Sequence, residues 1–188
     1  MPEDAPAPAG YRIRERRPAD DAALVRIENR AAGLFRDHGH PALADDPLAG
    51  VEALRRLIEG GRVWVAQERG GEPAGFAVAG PLDGFLHLRE LSVDPAHGRR
   101  GLGAALVGAV AAAAKRAGCA GVSLTTFRFV PFNGPFYERL GFRELALDLA
   151  PPALCAAFRR ELPQGIDMKE RVLMVRGVGE GPVRQPVK

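Results

Sequence analysis

Apolar and polar side chains alternate from Tyr11 to Arg17, with Tyr11 and Ile13 set against Arg12, Arg14 and Arg16. A period of two predicts a strand with one solvent face. The period then lengthens. After Pro18-Ala19-Asp20-Asp21, residues Leu24, Val25, Ile27 and Glu28 fall at helical spacing, which predicts a first helix behind a capped start. Gly33 to Leu48 carries Gly39, Pro41, Asp45, Asp46 and Pro47 and reads as turns. A second amphipathic helix on Val51, Leu54, Leu57 and Ile58 stops at Gly60-Gly61. Arg62–Glu68 and Ala74–Pro81 are β-rich runs on either side of Arg69-Gly70-Gly71-Glu72, a hairpin signal. A strand over Phe85–Val93 follows.

From Gly101 to Ala117 a helix would gather Leu102, Leu106, Ala109, Val110 and Ala113 on one face and end in Lys115, Arg116 and Gly118, which suit a helix C-terminus. Val122–Phe127 reads as a buried strand, Asn133–Leu140 as a short helix and Phe142–Leu147 as a strand. Ala153–Glu161 reads as a helix and Arg171–Arg176 as a last strand. Flexible ends at 1–9 and 177–188 leave 10–176 as a single α/β domain, a size consistent with 188 residues that are 46% hydrophobic and 26% charged.

Composition narrows the function classes. Cys119 and Cys155 have no metal or redox spacing, so reduced thiols and a cytoplasmic location are expected. No apolar run nears the roughly 20 residues of a membrane span, and Met1–Gly10 lacks a signal-peptide pattern. The net charge of +3 is spread along the chain and aromatic residues make up only 6%, so no nucleic-acid platform is visible. Arg12, Arg14, Arg16 and Arg17 read as the solvent face of an edge strand, and the excess positive charge suits an anionic cofactor. His38 and His40 lack a third ligand, so no metal is expected.

Chemistry concentrates between Leu88 and Leu106, where a strand breaks at Pro95, crosses Gly98-Arg99-Arg100-Gly101 and enters a helix at Leu102-Gly103-Ala104. Glycines let several backbone N–H groups approach one ligand, the helix start adds partial positive charge, and two arginines stand beside it. A diphosphate is the natural guest. No Lys-Ser/Thr follows Gly103, so this is not a Walker A loop. The glycine spacing Gly98-x-x-Gly101-x-Gly103 is the reverse of a dinucleotide fingerprint, and Ala104 to Ala114 offers no acid for a ribose.

The run Val93-Asp94-Pro95 followed by Arg100-Gly101-Leu102-Gly103-Ala104 resembles the acyl-CoA pyrophosphate loop of the GNAT superfamily of N-acetyltransferases. A second block, Asn133-Gly134-Pro135-Phe136-Tyr137-Glu138-Arg139-Leu140-Gly141-Phe142, resembles that superfamily's Asn-x-x-x-x-Tyr-x-x-x-Gly-Phe segment. One departure stands out: the first loop position, usually Gln or Arg, is Gly98, leaving Arg99 or Arg100 to carry the charge. The resemblance implies a central mixed, mostly antiparallel sheet flanked by helices and splayed at the cofactor site, with the strand before the loop parting from its neighbour after Gly121. It implies acetyl-CoA as co-substrate, held by Leu91 and Val93 along the pantetheine arm, by Arg99, Arg100, Gly101, Gly103 and Ala104 at the diphosphate, and by Asn133. Many relatives are homodimers.

The same resemblance makes Tyr137 the general acid, a group that stays protonated at neutral pH and can donate to a leaving thiolate. The base is Glu90, His87 or an ordered water: regular alternation puts His87 and Arg89 on one face of the strand and Glu90 on the other, and a bulge would reverse that phase. Acceptor selection falls to Phe35-Arg36-Asp37-His38-Gly39-His40 and to Phe127–Phe132. The expected activity is direct acetyl transfer to a primary amine of a small molecule. The alternatives are a protein N-terminal or lysine acetyltransferase, against which Thr125-Thr126 stand where such relatives often carry Glu, and a non-catalytic acyl-CoA-binding regulatory module.

Overall fold

The computed structural model describes residues 6–179; of the loose ends expected at 1–9 and 177–188, residues 1–5 and 180–188 lie outside the described chain. The chain forms two compact units, one running to Gly80 and including Arg89–Val110, the other combining Pro81–Leu88 with the chain from Ala111.

In the first unit, β1 (Tyr11–Glu15) pairs antiparallel with β2 (Arg62–Glu68), which pairs antiparallel with β3 (Pro73–Leu82). The second half of β4 (Phe85–Val93) follows β3 in strand order, so β1 is an edge. Helices α1 (Asp21–Ala32), α2 (Pro41–Ala44) and α3 (Gly50–Ile58) belong here, as does the start of α4 (Leu102–Arg116). The periodic positions meet as read: Leu24 and Ile27 of α1 and Leu54 of α3 pack against Val63, Val65, Phe76 and Val78 of the hairpin. The basic strand face differs from expectation. Arg14 holds both oxygens of Asp20 at 2.7 and 2.8 Å, and Arg16 holds both of Asp21 at 2.6 and 2.7 Å. The acids that open the first helix are thus the partners of this arginine run.

In the second unit, the first half of β4 pairs parallel with β5 (Gly121–Phe127), and β7 (Arg171–Gly177) pairs antiparallel with both β5 and β6 (Arg143–Glu144). Parallel neighbours need a crossover, which α4 supplies. The ladder of β4 with β5 holds from Phe85–Gly121 to Leu88–Leu124, past the Gly121 point at which separation was expected; β4 runs on to Val93 and β5 to Phe127. A Cβ on Gly121 would lie 2.2 Å from the Arg176 carbonyl oxygen, so this close strand approach admits no side chain. Helices α5 (Gly134–Arg139) and α6 (Pro152–Arg160) complete the unit, and Phe85, Leu154, Phe158, Leu173 and Val175 form its core.

The strand expected over Phe142–Leu147 shrinks to Arg143–Glu144. After one more ladder bond, from the Leu145 N–H to the Leu173 carbonyl at 2.9 Å, the chain turns at Ala146–Leu149. Leu145 and Leu147, both half-buried, still pack on the core, so an apolar alternation that looked like a strand is a short ladder running into a turn. No helix among the described residues is long and apolar enough to cross a membrane.

Leu54 is 0% exposed inside the first core, whereas Leu57 lies at its margin. Leu54→Ala is expected to cost about 2–5 kcal/mol of unfolding free energy and Leu57→Ala clearly less, as read by urea denaturation.

Candidate functional site

The first unit carries the glycine turn. β4 ends at Val93 and Asp94 follows, its Oδ1 accepting the Ala96 N–H at 3.0 Å and its Oδ2 accepting from Arg30 Nη1 at 2.9 Å. A 3-10 turn over Pro95–His97 follows, closed by the His97 N–H on the Asp94 carbonyl at 2.8 Å and the Gly98 N–H on the Pro95 carbonyl at 3.1 Å. Burial opposes ionisation of Asp94, but the Ala96 N–H, Arg30 and His97 outweigh it and hold its carboxyl below the usual range. Arg99 has φ +58° and Gly101 φ +81°. Gly101 then accepts the first helical bond of α4, from the Ala105 N–H at 3.0 Å, which leaves the N–H groups of Leu102, Gly103 and Ala104 as first-turn donors without a helical acceptor. A Cβ on Gly98 would sit 3.1 Å from the Pro95 carbonyl oxygen, tight for the larger residue usual at that position. Arg99 and Arg100 are both exposed, and Arg100 is anchored: its Nη1 donates to the Tyr11 hydroxyl at 2.8 Å.

Upstream on the same strand, the Ser92 hydroxyl donates to Glu90 Oε1 at 2.8 Å, as residues two apart on one strand face can. Burial raises the affinity of Glu90 for a proton, against the Ser92 and Leu91 donors. A second carboxylate joins it. Burial pushes Glu28 of α1 up to about 7, helped by the charges of Glu90 and Asp46 and opposed by the Leu48 N–H. Glu28 Oε2 is buried with no hydrogen-bond partner. Two acids that repel in a poorly hydrated place cannot both ionise cheaply, so this pair holds a proton near neutral pH. Sequence reading counted Glu28 only as a helix-face residue. Its signal was there: an acid next to Ile27 and one turn after Leu24, on the stripe that enters the core.

The second unit carries Asn133, Tyr137 and His87. Asn133 precedes α5, its carbonyl accepting the Tyr137 N–H at 3.0 Å and its Oδ1 accepting the Thr126 hydroxyl at 2.7 Å. Tyr137 is 8% exposed, edge-on to Phe136 and Phe142 with ring centres 5.1 and 5.5 Å away. A Cβ on Gly134 would lie 2.4 Å from the Arg128 carbonyl oxygen, so the start of this helix sits directly on the preceding chain. His87, 2% exposed, has both ring nitrogens engaged: Nδ1 with Ser123 Oγ at 2.9 Å, and Nε2 with Glu161 Oε1 at 3.1 Å. Thr125 donates to Glu161 Oε2 at 2.7 Å, and Arg171 Nη2 donates to Thr125 at 2.9 Å. Burial pushes Arg171 down to about 10, against the pull of Glu161 and Tyr137. His87 thus has both ring nitrogens engaged, while Glu90 accepts from the Ser92 hydroxyl and the Leu91 N–H. Glu161 and Arg171 were not singled out from sequence because their partners are 36 to 74 residues away.

Residues 59–144 match the GNAT acetyltransferase domain family. The mycothiol acetyltransferase of Clavibacter michiganensis subsp. michiganensis is 36% identical over 117 residues, which cover 60% of this chain and 35% of that protein. The chain therefore spans about a third of that relative's length. Among solved structures, the ribosomal-protein-S18-alanine N-acetyltransferase of Escherichia coli superposes with a TM-score of 0.65 at 19% identity, covering 92% of this chain and 96% of that one. The PaiA N-acetyltransferase of Thermoplasma acidophilum, in complex with coenzyme A, gives 0.63 at 14% identity, covering 89% and 98%.

The proton on the Glu28–Glu90 pair has a measurable signature. Glu28 titrates near 7 in the folded chain and near 4.5 when unfolded, so across that window the folded state holds a proton that the unfolded state has lost. Stability falls as pH rises through the window and stays lower above it. Glu28→Gln removes the charge and its penalty, so the melting temperature of the variant is expected to drop less than that of the wild type between pH 5 and pH 8, by about 2–5 °C. Parallel melting curves across that range would show that Glu28 holds no such proton.

Proposed function

Because the chain belongs to the GNAT superfamily, the acyl-CoA-dependent N-acetyltransferases, we propose that it moves the acetyl group of acetyl-CoA by direct attack onto a primary amine of a small molecule. The observation that carries this reading is the continuity of one stretch of chain. Glu90, then Leu91 and Val93, then the turn at Arg99–Gly101 and the first-turn amides of α4 follow each other without interruption. A basic group, a strand able to take an extended amide chain and an anion cradle come in the order in which amine, pantetheine and diphosphate would need them.

Glu90 takes the proton that the amine sheds as its nitrogen bonds to the thioester carbon, and Glu28 beside it tunes the affinity for that proton. The carbon–sulfur bond then breaks, and Tyr137 donates its proton to the departing thiolate. The Leu91 and Val93 backbone receives the pantetheine arm. Arg99 and Arg100, with the amides of Gly101, Gly103 and Ala104, receive the diphosphate, and Asn133 bonds on the cofactor side. His87 has no part in this reading, since Ser123 and Glu161 occupy both its nitrogens. A small-molecule acceptor is favoured because the 36% identical relative is named for mycothiol and not for a protein, and because Thr125 and Thr126 are spent on Glu161 and Asn133.

Calorimetry with acetyl-CoA, followed by thiol release against amino acids, polyamines, aminoglycosides and peptides with free N-termini, tests the proposal. Micromolar binding and release driven by a non-peptide amine are expected. Tyr137→Phe and Glu90→Gln should each lower kcat by about 10²-fold or more with the affinity for acetyl-CoA retained. Release with peptides alone would move the acceptor to proteins, and binding without release from any amine would overturn the assignment.

A further inference from the structure

Tyr11 lies far from the glycine turn in sequence, yet its side chain ends on it. The residue opens β1 and is 5% exposed. Its hydroxyl is 2.8 Å from His97 Nδ1 and 2.8 Å from Arg100 Nη1. A guanidinium only donates, so the phenol oxygen accepts from Arg100, and the same hydroxyl bonds His97 Nδ1 as donor or acceptor according to the tautomer of that ring. The ring stands edge-on to the His97 ring, with centres 5.9 Å apart at 87°. Arg100 also reaches back to the Ala96 carbonyl through Nη2, at 3.5 Å.

What lies between the two fastened residues matters more than the bonds themselves. Gly98 and Arg99 separate His97 from Arg100, and Arg99 is one of two non-glycine residues with positive φ among those described, Asp83 being the other. An L-residue adopts that region only under constraint from its surroundings. Asp94 fixes the approach to the turn through Ala96 and Arg30, and α4 fixes its exit. Across the strained centre Arg100 reaches the Ala96 carbonyl only at 3.5 Å, and the two shorter side-chain bonds, at 2.8 Å each, converge on one hydroxyl.

We propose that Tyr11 is a positioning residue for the anion cradle, its hydroxyl clamping both ends of the Gly98-Arg99 turn so that the amides leading into α4 are set before the ligand arrives. The inference rests on the reading of that turn as the diphosphate site. Preorganised donors bind an anion more tightly than donors that must first be ordered, so the clamp contributes to affinity for the part of the ligand that carries the diphosphate and not to affinity for the pantetheine arm.

Calorimetric titration of the full chain with CoA and with pantetheine separates these contributions. Tyr11→Phe keeps the ring and its edge-on packing and removes only the hydroxyl. The ratio of CoA to pantetheine affinity is expected to fall about tenfold in this variant. His97→Gln, which releases the other end of the clamp, should lower the same ratio, and the double variant should lose no more than Tyr11→Phe alone, since both act on one linkage. A loss of melting temperature alone, with the ratio kept, would mean that Tyr11 only packs and would overturn the proposal. A Tyr11→Phe protein that does not fold leaves the ratio to be read from His97→Gln. A wild-type chain that binds CoA no more tightly than pantetheine would bring down the diphosphate reading and the clamp with it, whereas a strong wild-type preference preserved in the variants brings down the clamp alone.

Discussion

The parallel pairing of Phe85–Leu88 with Gly121–Leu124 is the constraint from which the chemistry follows. Every other described ladder of the chain is antiparallel and could be joined by a hairpin. A parallel pair cannot, because the chain must return to the end at which it started, and a helix is the economical way back. A helix that leaves the carboxyl end of a strand offers unpaired amides there. The sharp turn into it needs backbone conformations met by Gly101 and forced on Arg99. The proposed cradle is thus a by-product of topology, and Arg99, Arg100 and Glu90 are the residues proposed to make it specific.

Two sets of buried ionisable groups show opposite solutions to the same cost. Around His87, the second unit links Ser123, Glu161, Thr125 and Arg171 by hydrogen bonds, although Arg171 Nε is buried without a hydrogen-bond partner. Glu161 stays below its ordinary range because His87 and Thr125 outweigh its burial. Such a set fixes side chains and leaves little to react. Around Glu28, the first unit does the reverse: a like charge lies nearby and one oxygen has no partner. A folded chain tolerates that arrangement at a cost, and such costs collect where a proton must move.

Much of this was legible in the letters. Periodicity located the strands and helices because each buries one face, and the glycine spacing separated the cradle from nucleotide loops. The resemblance supplied roles for Tyr137 and Asn133 that no spacing could give. What escaped did so for physical reasons. Leu145 and Leu147 are half-buried where a short ladder gives way to a turn, and alternation alone cannot tell that from a strand. Periodicity reports that His87 lies on a strand, but not that Ser123 and Glu161 meet its ring. Tyr11 read as the first apolar residue of a strand, which it is, and its hydroxyl acts across 86 positions of sequence. Polar groups that act at long range are silent in local pattern.

The arginine run on β1 has one more consequence. Among the described strands β1 is an edge, and one row of its backbone donors and acceptors has no described strand beside it, the kind of surface on which a foreign chain can add itself. Charge along such a strand deters the newcomer, but a long arginine that swings freely deters it poorly. Here Arg14 and Arg16 are each fixed by a two-pronged carboxylate. Burial works against ionisation of Asp20, but its donors from Arg14 and Arg17 outweigh it and keep it charged below the usual range. The Arg14–Asp20 pair at the opening of the first helix therefore keeps charge fixed along this edge into acid, where most surface carboxylates have already been silenced.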